Sequence, residues 1–283
     1  MACPQPTKYD YYASGGTLGT FGTPEFNDPV QGKYLLNCSL IAAFSSLAWK
    51  GKITTQPAGP KITYSFQFYN PNKLQTVDGM TPLDGSGKLL HAKSDTENEI
   101  WPALYEKAYY MWLDNINVPS GRPNYCTYAG GQDPVTVLKQ LTGRNVSQKP
   151  ATPLVALTAF NNIDAFCVNL VSNTNRVIQS PAVAWTYDNG AQYSDNTISA
   201  KHTYSLLGVA GKKDAQGNWT DRYVVLRNPY GKVRGDPTGF PAGSLYTAAL
   251  WSKNINLGNN DGIFALRYDL FAQYFAGYAW VLL

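Results

Sequence analysis

The hydrophobic positions in the first half of the chain recur with the spacing of helices. After Cys38 they are Leu40, Ile41, Phe44, Leu47 and Ala48, and a second set comprises Ile100, Trp101, Leu104, Ala108, Met111 and Trp112. Asn37 favours an N-cap position, which places Cys38 in the first turn of its helix. A third helix is expected from Asp133, as its cap, through Pro134 to Gly143, because Pro suits the first turn and Gly the end.

Alternation of polar and apolar positions, which is typical of strands, dominates the second half. One early case is the set Ile62, Tyr64, Phe66 and Phe68. Later candidate strands lie near 153–158, 181–186, 203–210, 222–227, 263–268 and 278–282, and the polar stretches 172–177 and 187–200 predict surface loops. The pattern predicts an α+β fold with an N-terminal extension over 1–24, a helical lobe over 25–150 and a β-rich lobe over 151–283.

Composition narrows the class of protein. Of the 283 residues, 44% are hydrophobic and 15% charged, which indicates a globular chain. The net charge is +4 without clusters of Lys or Arg, so nucleic acid is not an expected partner. No apolar run approaches the roughly 20 residues that span a bilayer, so no membrane association is expected. The N-terminus lacks the apolar core of a secretory signal, and the cytoplasm is the expected compartment.

The four cysteines, Cys3, Cys38, Cys126 and Cys167, form neither a dense framework nor a metal-binding spacing. They are therefore expected mostly as reduced thiols, one of them reactive. An unperturbed thiol, with a pKa of about 8.5, is largely protonated at neutral pH. A position in the first turn of a helix favours the thiolate, and so does a nearby imidazolium.

Cys38, His202 and Asn228 follow each other in the order that a cysteine protease of the papain type requires. The thiolate attacks a carbonyl, the imidazole moves the proton, and the amide orients the imidazole. The chain contains only two histidines, and His91 lies in no comparable context. Each residue alone is more often structural: a single Cys is usually core, and an Asn before Pro is usually in a turn. Their joint occurrence in suitable contexts favours catalysis.

Several segments together resemble the core of the calpain-type cysteine proteases. The segment from Gln31-Gly32 to Cys38 and Leu40–Ala43 is similar to the family's QGxxGDCWLLAA. His202–Leu206 is similar to HAYSV, and Arg227–Gly231 to RNPWG. Residues 77–109, which end in a W-x-x-L-x-E-K-A-Y helix, and Asn260–Phe264, similar to DGxFW, extend the resemblance over roughly 24–283. Leu36-Asn37, Ser39, Lys201 and Tyr230 depart from the family's Gly-Asp, Trp, Gly and Trp.

The resemblance implies a papain-like fold with a helical lobe and a β-barrel-like lobe, and it implies catalytic roles for Cys38, His202 and Asn228. It also makes Gln31 the candidate oxyanion-hole donor, one residue further from Cys38 than the family pattern has it. Asp28 and Asp261 match calcium-site positions of the family, while Thr136 and Ile263 stand where companion acids are expected. Calcium takes several carboxylate ligands, so we expect that no cofactor is required and keep calcium as an open alternative.

The sequence therefore predicts a calpain-like cysteine endopeptidase that hydrolyses proteins or peptides through a thioester acyl-enzyme. Two alternatives use the same fold. An acyltransferase would pass the acyl group to an amine instead of water. A pseudoprotease, suggested by the altered neighbours of Cys38, would bind peptides without cleaving them. The sequence does not indicate an oligomeric state.

Overall fold

The structure, a computed structural model, describes residues 3–53, 63–172, 174–188, 198–231, 242–247, 250–252, 255–259 and 261–283. The chain divides into two compact units, Met1–Asn145 and Val146–Leu283. Both contain helices and strands, so the predicted α+β class is confirmed. In the described residues no helix is both long enough and apolar enough to span a bilayer.

Over residues 3–53 and 63–145, the first unit combines three helices with small antiparallel sheets. Its helices are α1 (Cys38–Trp49), α2 (Trp101–Leu113) and α3 (Pro134–Thr142), and a 3-10 helix covers Tyr125–Tyr128. Its strands are β1 (Lys8–Asp10), β2 (Ala13–Ser14), β3 (Thr17–Leu18), β4 (Pro29–Val30), β5 (Thr63–Phe68), β6 (Lys73–Asp78), β7 (Thr81–Leu83) and β8 (Lys93–Ser94). The strands pair as β1–β7, β2–β3, β4–β8 and β5–β6.

The three predicted helices of the first unit are confirmed. Helix α1 is buried from Cys38 to Leu47, so its serines Ser39, Ser45 and Ser46 are buried together with its apolar positions. It packs on α2 through Phe44 and Tyr105, whose rings stack with centroids 4.5 Å apart. Helix α3 has the predicted ends. The side chain of Asp133 accepts a hydrogen bond from the backbone N–H of Thr136, and Gly143 adopts a left-handed conformation with φ of 65°.

In its described residues, the second unit contains one eight-stranded antiparallel sheet and two helices. Its strands are β9 (Val146–Pro150), β10 (Cys167–Ser172), β11 (Asn175–Ile178), β12 (Ala182–Thr186), β13 (Thr203–Lys213), β14 (Trp219–Arg227), β15 (Ile263–Arg267) and β16 (Phe275–Val281). Its helices are α4 (Ala156–Ala165) and α5 (Tyr268–Tyr274), and a 3-10 turn covers Pro153–Val155.

The long strand β13 organises this sheet. It pairs with β14 from Ser205 to Lys213, with β12 at residues 203–205 and with β11 at residues 208–210. Strand β12 continues the sheet to β16 and β9. The first nine residues of β13 are buried, which explains its nearly continuous apolar sequence. Because β9 pairs with β16, residues 146–150 belong to this sheet, although the sequence assigns them to the first lobe.

Two local predictions are wrong. The expected strand at 153–158 is a 3-10 turn followed by α4, whose Ala159, Phe160 and Ile163 are buried with helical spacing. The expected loop at 172–177 contains the end of β10 and the start of β11. The predicted loop at 187–200 includes 189–197, and the predicted early strand includes Ile62; these positions lie outside the described residues.

The cysteines also differ from the prediction. Cys3 and Cys126 form a disulfide, with their Cα atoms 5.6 Å apart, while Cys38 and Cys167 are buried thiols. The bond joins positions separated by 123 residues, so it attaches the N-terminal segment to the 3-10 helix of the first unit. No signal in the local sequence pairs these two residues.

Candidate active site

Cys38 is the first residue of α1, as the sequence predicts, and it is 8% exposed. The backbone N–H groups of a helix's first turn have no partner inside the helix and favour a negative charge beside them. Ser39, which replaces the Trp of the family pattern, donates a hydrogen bond of 2.7 Å to the carbonyl of Gln132. This bond ties the first turn of α1 to the segment that leads into α3.

Asn37 occupies the N-cap position of α1, but its side chain makes no capping hydrogen bond. The side-chain amide donates instead to Oε1 of Glu106 on α2, and Oε2 of Glu106 accepts from the backbone N–H of Ala92 at 3.0 Å. Asn37 and Glu106 are both almost completely buried. Burial raises the pKa of Glu106 to about 8, against the two hydrogen bonds, which lower it.

Gln31, the candidate oxyanion donor, directly follows β4 and is buried. Its side-chain Nε2 donates to the carbonyl of Leu35 at 2.7 Å. The neighbouring Gly32 packs tightly, since a Cβ atom there would lie 2.4 Å from the carbonyl oxygen of His91. The segment from Gln31 to Cys38 is thus held by its own hydrogen bonds and by close packing.

His202 and Asn228 meet because of the register of two strands. His202 precedes β13 and Asn228 follows β14, and these strands are antiparallel with Ser205 opposite Arg227. Nε2 of His202 lies 3.1 Å from Oδ1 of Asn228, and both side chains are buried. The amide oxygen only accepts, so Nε2 carries the proton in this pair and Nδ1 is the basic nitrogen of the neutral ring.

The backbone on both sides of this pair is also held. The N–H of His202 donates to Oγ1 of Thr186 at 2.9 Å, and its carbonyl accepts from the N–H of Thr186. The N–H of Asn228 donates to the carbonyl of Gly262 at 2.8 Å. Lys201, in place of the family's Gly, has φ of 49°, a left-handed conformation that favours glycine.

Two aromatic rings orient the imidazole. Tyr230 stacks on His202 with centroids 4.7 Å apart and planes at 15°, and Tyr204 meets the ring edge-on at 5.0 Å. Tyr230 stands where the family pattern has Trp, so an aromatic face covers the imidazole despite the substitution. The backbone N–H of Tyr230 also donates to Oδ1 of Asn228. The second unit thus presents an imidazole fixed in one orientation.

The second histidine, His91, is in a different setting. It is 1% exposed, and its ring packs against that of Tyr125 with centroids 4.3 Å apart and planes tilted by 39°. Neither ring nitrogen has a hydrogen-bond partner among the described residues. Burial lowers the pKa of His91 to about 4, which keeps the ring neutral. A ring in this state packs as part of the core.

The calcium candidates have protein partners of their own. Oδ2 of Asp28 accepts from the N–H of Glu25 and from Nε1 of Trp101, and Oδ1 accepts from Thr96. Asp261 accepts from the N–H of Ile263. In the described part of the chain, no group of three or more His, Cys, Asp or Glu side chains is arranged to hold a metal. The carboxylates thus organise their own loops.

The acidic neighbour of Asp28 is Glu99, which the sequence analysis did not identify. Thr136, which stands where the family pattern has a companion acid, donates its backbone N–H to Asp133 in the first turn of α3. Burial and the charge of Asp28 raise the pKa of Glu99 to about 7. Calcium takes six to eight oxygens, of which such a pair supplies only part.

The sequence analysis likewise did not identify Glu106 as a partner of Asn37. Its one signal was its place in the W-x-x-L-x-E-K-A-Y segment.

Comparison with known proteins places the chain among cysteine proteases. The model of a family described as "Calpain family cysteine protease" matches residues 21–279. A "Thiol protease" of Porphyromonas gingivalis is 28% identical over 179 residues, which cover 60% of this chain and 34% of that protein. "Calpain-12" of Mus musculus is 27% identical over 225 residues, which cover 73% of this chain and 27% of that protein. The alignments thus span about a third or less of these relatives.

Proposed function

The chain belongs to the calpain family of cysteine proteases, and on that premise we propose that it is an endopeptidase whose catalytic triad is Cys38, His202 and Asn228. Its substrates are proteins or peptides, and the bond it cleaves is the peptide bond. The fold that the family implies is papain-like, with the eight-stranded sheet of the second unit as the β-barrel-like lobe.

The observation that carries this proposal is the hydrogen bond of 3.1 Å between Nε2 of His202 and Oδ1 of Asn228. An amide that accepts from one ring nitrogen fixes the tautomer, leaving the other nitrogen as the base. A purely structural histidine could be satisfied by any neighbour. Here the partner is the one that the chemistry requires, and it comes from the RNPYG segment that resembles the family's Asn motif.

In the first half of the reaction, His202 accepts the thiol proton of Cys38, and the thiolate attacks the carbonyl carbon of the peptide bond. The tetrahedral intermediate then collapses: the C–N bond breaks, and the imidazolium of His202 gives its proton to the departing amine. The acyl group stays on Cys38 as a thioester.

In the second half, His202 accepts a proton from water, and the resulting hydroxide attacks the thioester carbon. The C–S bond breaks, Cys38 regains a proton through His202, and the carboxylic acid leaves. The sum is one peptide and one water converted into an acid and an amine. Asn228 holds the imidazole in the same orientation throughout.

The negative charge on the carbonyl oxygen needs hydrogen-bond donors. We assign the backbone N–H of Cys38, at the start of α1, and the side-chain amide of Gln31. Nε2 of Gln31 donates to the carbonyl of Leu35, and an amide nitrogen has two hydrogens, so one remains to be aimed at a substrate.

The experiment is cleavage of a mixture of denatured proteins by the purified chain, with Cys38→Ala as the matched control. We expect new peptide termini with the wild type only, and pairs of products whose summed mass exceeds that of the parent by one water. Products joined to an added amine would show acyl transfer instead. No cleavage, together with peptide binding that Cys38→Ala leaves unchanged, would contradict the proposal and favour a pseudoprotease.

A further inference from the structure

A buried carboxyl group lies directly behind the start of the nucleophile's helix. Glu106 is 0% exposed and projects from the middle of α2. Its two oxygens accept hydrogen bonds from two separate segments, the side chain of Asn37 and the backbone N–H of Ala92. Burying an ionisable group is costly unless its hydrogen bonds are satisfied, so an apolar residue would be the simpler way to fill this space.

We propose that Glu106 is a positioning residue for Cys38, fixing through the side chain of Asn37 the backbone from which the nucleophile's helix begins. The inference rests on the proposed function only in taking Cys38 as the nucleophile. Glu106 itself takes no part in bond making or breaking.

The bond to Asn37 reaches the nucleophile through the backbone. Asn37 directly precedes Cys38, and its carbonyl accepts from the N–H groups of Leu40 and Ile41 at 2.9 and 3.1 Å. An Asn at this position ordinarily turns its side chain back to cap its own helix. This one makes no such bond and contacts α2 instead. A shift of its side chain therefore moves the first turn of α1.

The second bond of Glu106 connects the other side of the same segment. Ala92 follows His91, whose carbonyl oxygen is so close to Gly32 that a Cβ atom there would lie 2.4 Å away. Gly32 is adjacent to Gln31, the proposed oxyanion donor. One carboxyl group thus holds the residue before the nucleophile and the segment that packs against Gly32, the neighbour of the oxyanion donor.

Helix α2 is a firm base for this arrangement. Tyr105, next to Glu106, stacks on Phe44 of α1, and Trp101 packs against the same Phe44. The titratable groups that interact with Glu106 are the phenols of Tyr9, Tyr110 and Tyr125, each with a pKa raised by burial and therefore neutral. The position of Glu106 is thus set by packing and by its two hydrogen bonds.

The test compares Glu106→Ala, Asn37→Ala and the double variant with Glu106→Gln. The amide that Glu106→Gln introduces accepts from Ala92 through its oxygen and donates to Asn37 once the Asn37 amide has turned over, so both bonds survive. Gln75→Ala is the matched control, since Gln75 is buried in the same unit and its side chain bonds to the carbonyl of Ile116 at 2.9 Å. Each variant is measured for Tm, kcat, KM and the rate at which iodoacetamide alkylates Cys38, mapped by peptide mass.

We expect Glu106→Ala and Asn37→Ala each to lower kcat about tenfold or more with little change in KM, because a displaced catalytic atom loses rate steeply. The double variant should be no worse than Glu106→Ala alone, since Glu106→Ala already removes the bond to Asn37. Alkylation of Cys38 should change in the same variants, while Glu106→Gln stays within about threefold of wild type. Gln75→Ala should lower Tm only.

The proposal is overturned if Glu106→Ala lowers the Tm as much as Gln75→Ala does but leaves kcat and the alkylation rate of Cys38 at their wild-type values. If Glu106→Ala does not fold, the test rests on Asn37→Ala. Wild-type values of kcat and of the Cys38 alkylation rate in that variant would overturn the proposal. Alkylation does not depend on peptidase activity. An inactive wild type would therefore contradict the proposed function, while the alkylation rates would still decide the role of Glu106.

Discussion

The ring of Tyr230 stacks on the imidazole of His202, with centroids 4.7 Å apart and planes at 15°. The same Tyr230 donates its backbone N–H to Oδ1 of Asn228, which is also the oxygen that His202 contacts. A flat aromatic face over the imidazole keeps water from this hydrogen bond and limits rotation of the ring. The substitution of Trp by Tyr in the RNPYG segment therefore keeps the shielding.

Tyr230→Ala should lower kcat/KM by about threefold to tenfold, because an aromatic pair contributes about 0.5–1.5 kcal/mol beyond the area it buries. Tyr230→Trp should retain activity. Tyr246→Ala, which removes another half-buried tyrosine of the second unit that pairs with Tyr223 at 5.0 Å, is the control. Equal losses from Tyr230→Ala and Tyr246→Ala would mean that the effect is general destabilisation.

Acid should destabilise the chain partly through His91. Its folded pKa of about 4 lies below the usual 6.5, so between these values the unfolded chain binds the extra proton. Stability from this group is complete above about pH 6.5 and is lost as pH falls through about 4, by about 3 kcal/mol in all.

His91→Phe keeps the ring packing on Tyr125 and removes the ionisation. The stability lost between about pH 7.5 and pH 5, measured by urea unfolding, should shrink by about 2 kcal/mol. Peptidase activity near neutral pH should stay close to wild type. An unchanged pH dependence would show that His91 is not buried as a neutral ring, and a large loss of activity would give it a catalytic role.

Local signals were enough for part of this structure. Helix α3 was predicted with both ends because Asp133 and Gly143 act on their own neighbours. The apolar run at 153–158 was wrongly predicted as a strand, because a short run of this kind fits a buried helix as well as a strand.

The candidate site divides in the same way. Cys38, His202 and Asn228 are visible in the sequence because each lies in a recognisable segment. The bond between Asn37 and Glu106, the pair of Asp28 and Glu99, and the disulfide of Cys3 with Cys126 join positions far apart in the chain. Such contacts depend on how the helices and strands pack against each other. The spacing of residues within one segment does not determine that packing.

Calcium should not be required for activity. Asp28 already receives three protein donors, so its loop is organised without a cation. We expect the peptidase rate in a strong chelator to stay within about twofold of the rate in millimolar calcium, since an incomplete set of carboxylates binds calcium weakly. A tenfold activation by calcium that is lost in Asp28→Asn or Glu99→Gln would contradict this prediction.

The disulfide should stabilise the first unit. Cys3 and Cys126 are separated by 123 residues, and closing a loop of this length contributes about 4–5 kcal/mol in the chain-entropy model. Reduction of the disulfide should therefore lower the Tm. The measurement uses the Cys38→Ala variant, so that the reactive thiol of Cys38 does not interfere. Cys3→Ser and Cys126→Ser should each show the lowered Tm and no further response to reductant. A Tm that does not depend on reductant would mean that the bond does not form in solution.

The most direct test of the central claim, that Cys38 is a nucleophile served by His202, is labelling by a peptidyl vinyl sulfone with the modified residue mapped by mass. The account predicts one adduct, at Cys38, with labelling slowed about 100-fold or more in His202→Ala and little changed in His91→Phe, because loss of a triad base costs orders of magnitude. Cys167, the other buried thiol, should stay unmodified. An adduct at Cys167, or labelling of Cys38 at an unchanged rate in His202→Ala, would contradict the account.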